Sequence, residues 1–494
     1  MNKPIEQSST SNISPVLTVL KDEWRYWLRS KLAVSVLVIG VLLTLSSVIV
    51  TGFSMSALVH EREGMQNTSE QTFMEQPDRH PHRMVHYGHY AFRTPSPLSM
   101  LDPGVDAYTG NSIFLEGHRQ NSAMFAEQKQ STGLTKLGSL SPAFIVQVLA
   151  PLMLILIGYS SITREKESQT LTFLLAQGTS IYTLLCGKAL ALISVVLLII
   201  LPLLITGIFA WLMGENILLV AYFLMSYALY LSIWALIVLL LSTLAAKNSN
   251  SFTALSFAWI LLCIVMPRIA STSASIAVPA AGKLETDFAV IAELRKLGDG
   301  HNANDPAFNQ LKQSLLKKYN VDTLEELPIN FRGAVAQASE GELSKVLNRF
   351  AEQRMQKELA QTQVARTFGW FSPQIAIRTL SMINAGTSIE THHRFLRETE
   401  RLRLDFVQSL NQTHIEKLSY IDDLNRNNGE EASAKARVSA ENWQMIQGFQ
   451  FSTESANVRL LSSLSTLAQL IFWAGLLVYL LYLASSNLAR RASL

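Results

Sequence analysis

The chain has 494 residues, of which 49% are hydrophobic and only 16% charged, and its mean hydropathy is +0.21. That is too apolar for a water-soluble protein of this length and points to a multi-span membrane protein. A net charge of +3 gives no case for a nucleic-acid partner, and the two cysteines, Cys186 and Cys263, lie in or beside apolar runs, so no disulfide framework is expected.

Residues 1–13 are polar and expected to be disordered, with no signal peptide, because the first apolar run starts late and lacks a cleavage pattern after it. Ser14-Pro15 opens a helix in which Leu17, Leu20, Trp24 and Trp27 or Leu28 share a face, with Lys21, Arg25, Arg29 and Lys31 beside it. Two readings stand: a helix in the membrane interface within residues 1–31, or an inward extension of the first span. That span covers 32–55, followed by a first polar segment (56–141) and a second span (142–162). A charged and amphipathic stretch (163–183) leads to three spans within 184–266, the first holding Pro202 and the last ending at Pro267-Arg268. A second polar segment (267–459), a sixth span (460–484) and a tail (485–494) complete the chain. Basic residues flank the start, the 163–183 stretch, Lys247 and Arg490-Arg491, whereas the short loop Gly214-Glu215-Asn216 has none. The positive-inside rule then puts both termini in the cytoplasm and both long polar segments, with all ten histidines, outside.

Between the second and third spans the sequence reads ITREKESQTLTFLLAQGTSIYTLLCGK, Ile162 to Lys188. The charged cluster Arg164-Glu165-Lys166-Glu167 precedes an apolar face of Leu171, Leu174 and Leu175; Gln177-Gly178 stops the helix, and Thr179 or Ser180 caps the next. This stretch resembles the coupling segment of type-2 ABC exporter permeases. Glu165-Lys166-Glu167, Thr170-Leu171, Leu174-Leu175, Ser180 and Gly187-Lys188 match that pattern; Gln169 stands where Gly is usual and Gly178 where Pro is common. The resemblance implies a contact with a separate cytoplasmic ATPase, carried by Arg164, Glu165, Lys166, Glu167, Thr170, Leu171, Leu174, Leu175 and Lys188, with the leucines in a groove of the partner and the glutamates paired with its basic rim.

The first polar segment, from His86 to Asn121, and the second, in LPINFRG (Leu327 to Gly333) and from Ser372 to Arg403, resemble a subgroup of these permeases with a large outer domain, the domain-of-unknown-function 3526 permeases. Membership implies a multi-pass protein of a bacterial inner membrane, with a second permease copy or a sister permease alongside. The second polar segment shows helical periodicity over 284–297, 306–319, 341–368 and 390–426, with Asp305-Pro306 as a helix start and Asn427-Asn428-Gly429 as a stop, whereas the first is richer in Pro and Gly and reads as loops and short elements.

Three chemistries bear on the function. Gly187-Lys188 is no phosphate-binding loop: Tyr182 stands where the first glycine belongs and Ala189 follows the lysine, so ATP and Mg are expected on a partner subunit and no catalytic site in this chain. His80, His82, His86 and His89 are metal-ligand candidates, but HRMVH lacks the Glu of the His-Glu-x-x-His motif, and packed structural histidines are the favoured reading. The spans hold almost no ionisable residue away from their ends, which favours an ATP-driven gate over an ion-coupled pump. The fold expected is a mainly α, six-span membrane protein with a large, mostly helical extracytoplasmic domain. The function expected is an ABC-2 type permease, acting as an exporter; the alternative is a transmitter that drives an envelope partner and moves no solute.

Overall fold

The structure, a computed structural model, describes residues 15–125, 140–445 and 448–492. The disorder expected for residues 1–13 lies outside the described residues. The protein is mainly α-helical and has, among the described residues, six helices long and apolar enough to cross a membrane and a large helical region beyond them. Six crossings bring the first and last described residues to one side, called here the terminal side; the polar segments lie on the domain side.

Helix α1 (Pro15–Arg29) is a separate element. Ser30 interrupts it, and its hydroxyl accepts from the Ala33 N–H to cap α2 (Lys31–Met74). The packed face of α1 keeps Leu20, Trp24 and Trp27 of the expected one and adds buried Glu23, whereas Leu17 and Leu28 are exposed. Helix α2 spans 44 residues, roughly 66 Å at 1.5 Å per residue, about twice the hydrocarbon thickness. It therefore continues as a helix through residues expected to form loops. Its extension buries Arg62, Gln66, Glu70 and Phe73 at helical spacing. These polar residues hold the edge of a small sheet that follows α3 (Pro81–Tyr87). Strand β1 (His89–Phe92) pairs antiparallel with β2 (Ser112–Leu115) on one edge. On the other, Gln66 donates to the Tyr90 carbonyl and accepts from the Phe92 N–H at 2.8 Å, while Ser69 accepts from the Tyr90 N–H at 2.7 Å. A bare strand edge buried there would leave unpaired donors and acceptors.

The other spans are α4 (Pro142–Glu167), then, after the short α5 (Thr170–Ala176), α6 (Ile181–Leu212), α7 (Ile217–Leu244), α8 (Asn248–Ala277) and, last in the chain, α16 (Ala456–Ala492). Helix α7 packs against α6 and α16, and Val195, Phe223, Tyr227 and Trp234 are buried in the resulting core. Helix α8 does not end at Pro267 as expected. A π-helical stretch, Ile260–Val265, immediately precedes that proline, and its wider turn accommodates a ring that would clash in a regular α-helix.

The second polar segment contributes α9 (Lys283–Leu294), α10 (Asn309–Tyr319), α11 (Phe331–Thr367), α12 (Pro373–Ala385), α13 (Ile389–Lys417), α14 (Tyr420–Asn425) and α15 (Glu430–Lys435). Helix α11 starts ten residues before the expected Gly341 because Asn330 caps it, accepting from the Arg332 and Gly333 N–H groups. Helix α13 stops at Lys417 and Ser419 caps α14, dividing what periodicity joins as 390–426. Helices α11 and α13 pack along one another, and α12 lies against α7 and α16. Polar contacts fix this domain to the spans. Ser381 of α12 donates to buried Asp102 and shares a hydrogen bond with the Tyr227 hydroxyl of α7 at 2.8 Å, and Arg459 of α16 donates to the Asn384 carbonyl of α12 at 2.8 Å.

Candidate functional site

At the terminal end of the bundle, α4 finishes in a short turn, Thr163–Glu167, set off from the span by Tyr159–Ile162. The chain reverses at Gln169, whose φ is +60°. This left-handed conformation explains why glycine is usual there in the pattern the sequence resembles: only glycine adopts it without steric cost. Helix α5 ends at Gly178, φ +86°, with the Gly178 N–H on the Leu175 carbonyl and the Thr179 N–H on the Leu174 carbonyl, a Schellman arrangement that proline could not adopt. Ser180, rather than Thr179, then caps α6 by accepting from the Thr183 N–H at 3.0 Å.

Most charged residues of the stretch turn inward, Glu167 alone of them being exposed. Lys188 is 2% exposed and donates to Glu23 of α1, itself 1% exposed, and to Glu165 at 3.2 Å. Arg164 donates to the same Glu23 at 2.9 Å and to Glu165 at 3.1 Å, and lies 3.7 Å over the Tyr26 ring. Glu165 also accepts from Thr170 at 2.5 Å. Lys166 donates to the Thr243 and Ala245 carbonyls at the end of α7, and Glu167 accepts from the backbone and side chain of Asn248 at the start of α8. Glu165 ties α4 to Lys188 of α6 and Arg164 ties it to Glu23 of α1, while Glu167, itself exposed, meets the start of α8. Gly187 has a matching role. A Cβ there would stand 2.5 Å from Val19 Cβ, so glycine lets α1 approach closely enough for Glu23 to reach Lys188. Gly187-Lys188 is thus a docking pair for α1.

The leucine face packs in part within the chain. Leu171 is buried, and Leu174 and Leu175 are half-buried, against Ile162, Ile181, Leu184, Leu185 and Val19. They form a small core of this chain's own. The residue α5 presents outward is Phe173, 67% exposed, beside Thr172, Ala176 and Gln177. Periodicity identifies the leucine face but not what covers it. Glu23 carried no signal at all, since a glutamate on a basic helix reads as solvated.

On the domain side the histidine candidates separate. His80 joins His414 on Asp423, which is fully buried and also accepts from Asn330 and Arg426. Burial pushes the Asp423 carboxyl up, but hydrogen bonds from His414 and His80 outweigh it and hold the group far below its usual range. His89 packs between Phe73 and Phe406, with ring centroids 5.9 and 4.7 Å away. His82 and His86 lie one helical turn apart on α3, their Nε2 atoms 3.2 Å from each other, and His118 and His301 join them. Nothing in the local sequence singled out His301, which sits in the loop before α10. A cleft of about 820 Å³ opens elsewhere on this side, lined by Phe350, Arg354, Glu358, His392, Glu400 and Arg403.

Residues 285–452 match the family described as Domain of unknown function (DUF3526). The match runs from α9 to the residues just before α16 and takes in His301, Arg403, His414 and Asp423. No curated protein matches the chain.

Burial makes the domain sensitive to acid. It lowers His89 to about 4, and burial with the nearby Arg93 lowers His392 to about 3, against an ordinary 6.5. Both lie below their unfolded value, so the stability they allow is complete above about pH 6.5 and falls as the pH drops towards 4. At pH 5 each costs roughly 2 kcal/mol relative to pH 7.5. The melting temperature should fall over this range, and His89→Phe, which fits between Phe73 and Phe406, should flatten the slope; an unchanged slope would remove His89 from this account.

Proposed function

We propose that this chain is the membrane-spanning permease subunit of an ATP-driven transporter of the ABC-2 type, working as an exporter. It would lie in a bacterial inner membrane with its terminal side in the cytoplasm, pair with a second permease copy or a sister permease, and take its energy from a separate ATPase subunit that binds ATP and Mg. The observation that carries this reading is the end of α4 with α5. It is a short, rigid unit fastened to α1, α6, α7 and α8 by ion pairs and caps, with one large aromatic residue, Phe173, facing out. Displacement of such a unit by a closing ATPase moves four helices together, which is how a local contact becomes a shift of the spans. An interface anchor of this kind commonly contributes about 2 kcal/mol, more than tenfold in affinity.

A photo-crosslinking residue at Thr172 tests the contact. The expected adduct, identified by mass spectrometry, is a nucleotide-binding protein with a Gly-x-x-x-x-Gly-Lys-Ser/Thr loop, lost at least tenfold with Phe173→Asp at equal permease levels. Capture of no such protein, or capture insensitive to Phe173→Asp, would remove the reading. The polar ties from Tyr227 of α7 to Ser381 and from Arg459 of α16 to the Asn384 carbonyl favour a second reading, in which span movements reach the domain and act on an envelope partner. Solute accumulation measured in vesicles holding permease and ATPase separates the two.

A further inference from the structure

The four histidines gathered on the domain side make a coherent ligand set. His82 and His86 are at positions i and i+4 of α3, on one helix face. His118 follows Gly117, where a Cβ would stand 2.1 Å from Val85 Cγ1, so glycine lets this loop close onto α3. His301 comes from the second polar segment, following Gly300, whose absent Cβ gives room to Ser339. One nitrogen from each of the four lies within 4.8 Å of the other three. A tetrahedral ion with bonds of about 2.05 Å needs nitrogen separations of roughly 3.3 Å; the 3.2 Å between His82 and His86 already meets this, and small side-chain rotations bring in the rest.

The surroundings have the features of a metal shell. His118 Nδ1 is 3.0 Å from buried Glu340, and His301 Nδ1 is 3.3 Å from Asp299. In each ring a carboxylate holds one nitrogen and leaves Nε2 for a ligand, the arrangement that orients metal-binding histidines. The His118 Nε2 is buried and has no hydrogen-bond partner among the described residues. His118 also has φ +63°, a conformation that costs energy in a non-glycine residue and here brings its ring to the cluster. The neighbouring group of His80, His414 and Asp423 differs: Asn330 and Arg426 already occupy the carboxylate, and the Arg332 guanidinium lies 3.7 Å from it, an environment hostile to a cation.

We propose that His82, His86, His118 and His301 form a binding site for one divalent transition-metal ion of the zinc type, which fastens the first polar segment to the second. An all-imidazole set with no carboxylate ligand suits Zn²⁺, Cu²⁺ or Ni²⁺ over Mg²⁺ or Ca²⁺.

The full-length chain, purified in detergent with a tag free of histidine, is stripped with chelator, reloaded with Zn²⁺ and desalted. Elemental analysis should find one equivalent per chain, and Co²⁺ should give the intense visible bands of a tetrahedral nitrogen site. His86→Ala/His301→Ala should abolish the stoichiometric metal, and Asp299→Asn should weaken binding about tenfold through the orientation of His301. No bound metal in the wild type, or an unchanged equivalent in the double variant, overturns the site. If the double variant does not fold, diethyl pyrocarbonate labelling of the wild type decides: Zn²⁺ should protect these four histidines and leave exposed His60 reactive, whereas equal labelling with and without Zn²⁺ overturns the proposal.

Discussion

Replacing Lys188 by Met is expected to destabilise the terminal side by about 3 kcal/mol and to uncouple α1 from the bundle. The ammonium is the inner partner of Glu23, and both groups are almost wholly buried. Removing one member of a buried pair costs roughly 3–5 kcal/mol, since the remaining charge stays desolvated. Arg164 keeps its 2.9 Å contact to Glu23, which places the effect at the low end. Replacing both charges, Glu23→Gln with Lys188→Met, should restore most of the loss, because an ion pair exchanged for neutral groups of similar size is often nearly neutral. Thermal unfolding of the purified variants checks both statements. A single variant that melts like the wild type would show that Lys188 does not hold Glu23. ATPase stimulation, on the function proposed above, should fall in the single variant and recover with the double.

Arg403→Met should be equally severe on the domain side. The Arg403 side chain is 1% exposed and forks between Glu340 of α11, at 2.6 Å, and Glu400 of α13, at 2.8 Å. Burial pushes Glu340 up, yet His118 and Arg403 together hold it down to about 2. Without the guanidinium two carboxylates face each other in a buried site, at an expected cost of about 3–5 kcal/mol. Adding Glu340→Gln and Glu400→Gln should recover much of this. The single variant should also disturb His118, because Glu340 accepts from both its backbone N–H and its ring. Denaturation followed by tryptophan fluorescence, with metal content measured alongside, tests the two effects together. Unchanged stability would mean that α11 and α13 do not depend on this ion pair.

Local chain chemistry determined a good part of this protein. Long uncharged runs of Val, Leu and Ile commit their residues to spans, because a helix is the form that satisfies the backbone within a bilayer. Ser180, Asp305-Pro306 and Gly178 mark helix ends through side-chain caps and a left-handed turn, all set by residues within four positions. The gap at Gln169, where the resembled pattern has glycine, turned out to lie at a positive φ, so sequence and backbone agree on why that position is special.

Tertiary structure decided the rest, because it depends on partners far along the chain. The leucines of α5 look like an outward docking face until Ile162, Ile181 and Val19 are found covering them, which leaves Phe173 as the exposed residue. The first polar segment reads as loops and short elements, yet α2 extends into it, with Arg62 and Gln66 supplying hydrogen bonds to the edge of β1 and the residue after it. Glu23 gains its role only when Gly187 admits α1. His301 is an ordinary loop residue in the sequence; packing of the loop before α10 against α3 and the loop after β2 makes it the fourth member of the histidine cluster. Periodicity reports which residues share a face of one element, and only packing between elements determines what that face meets.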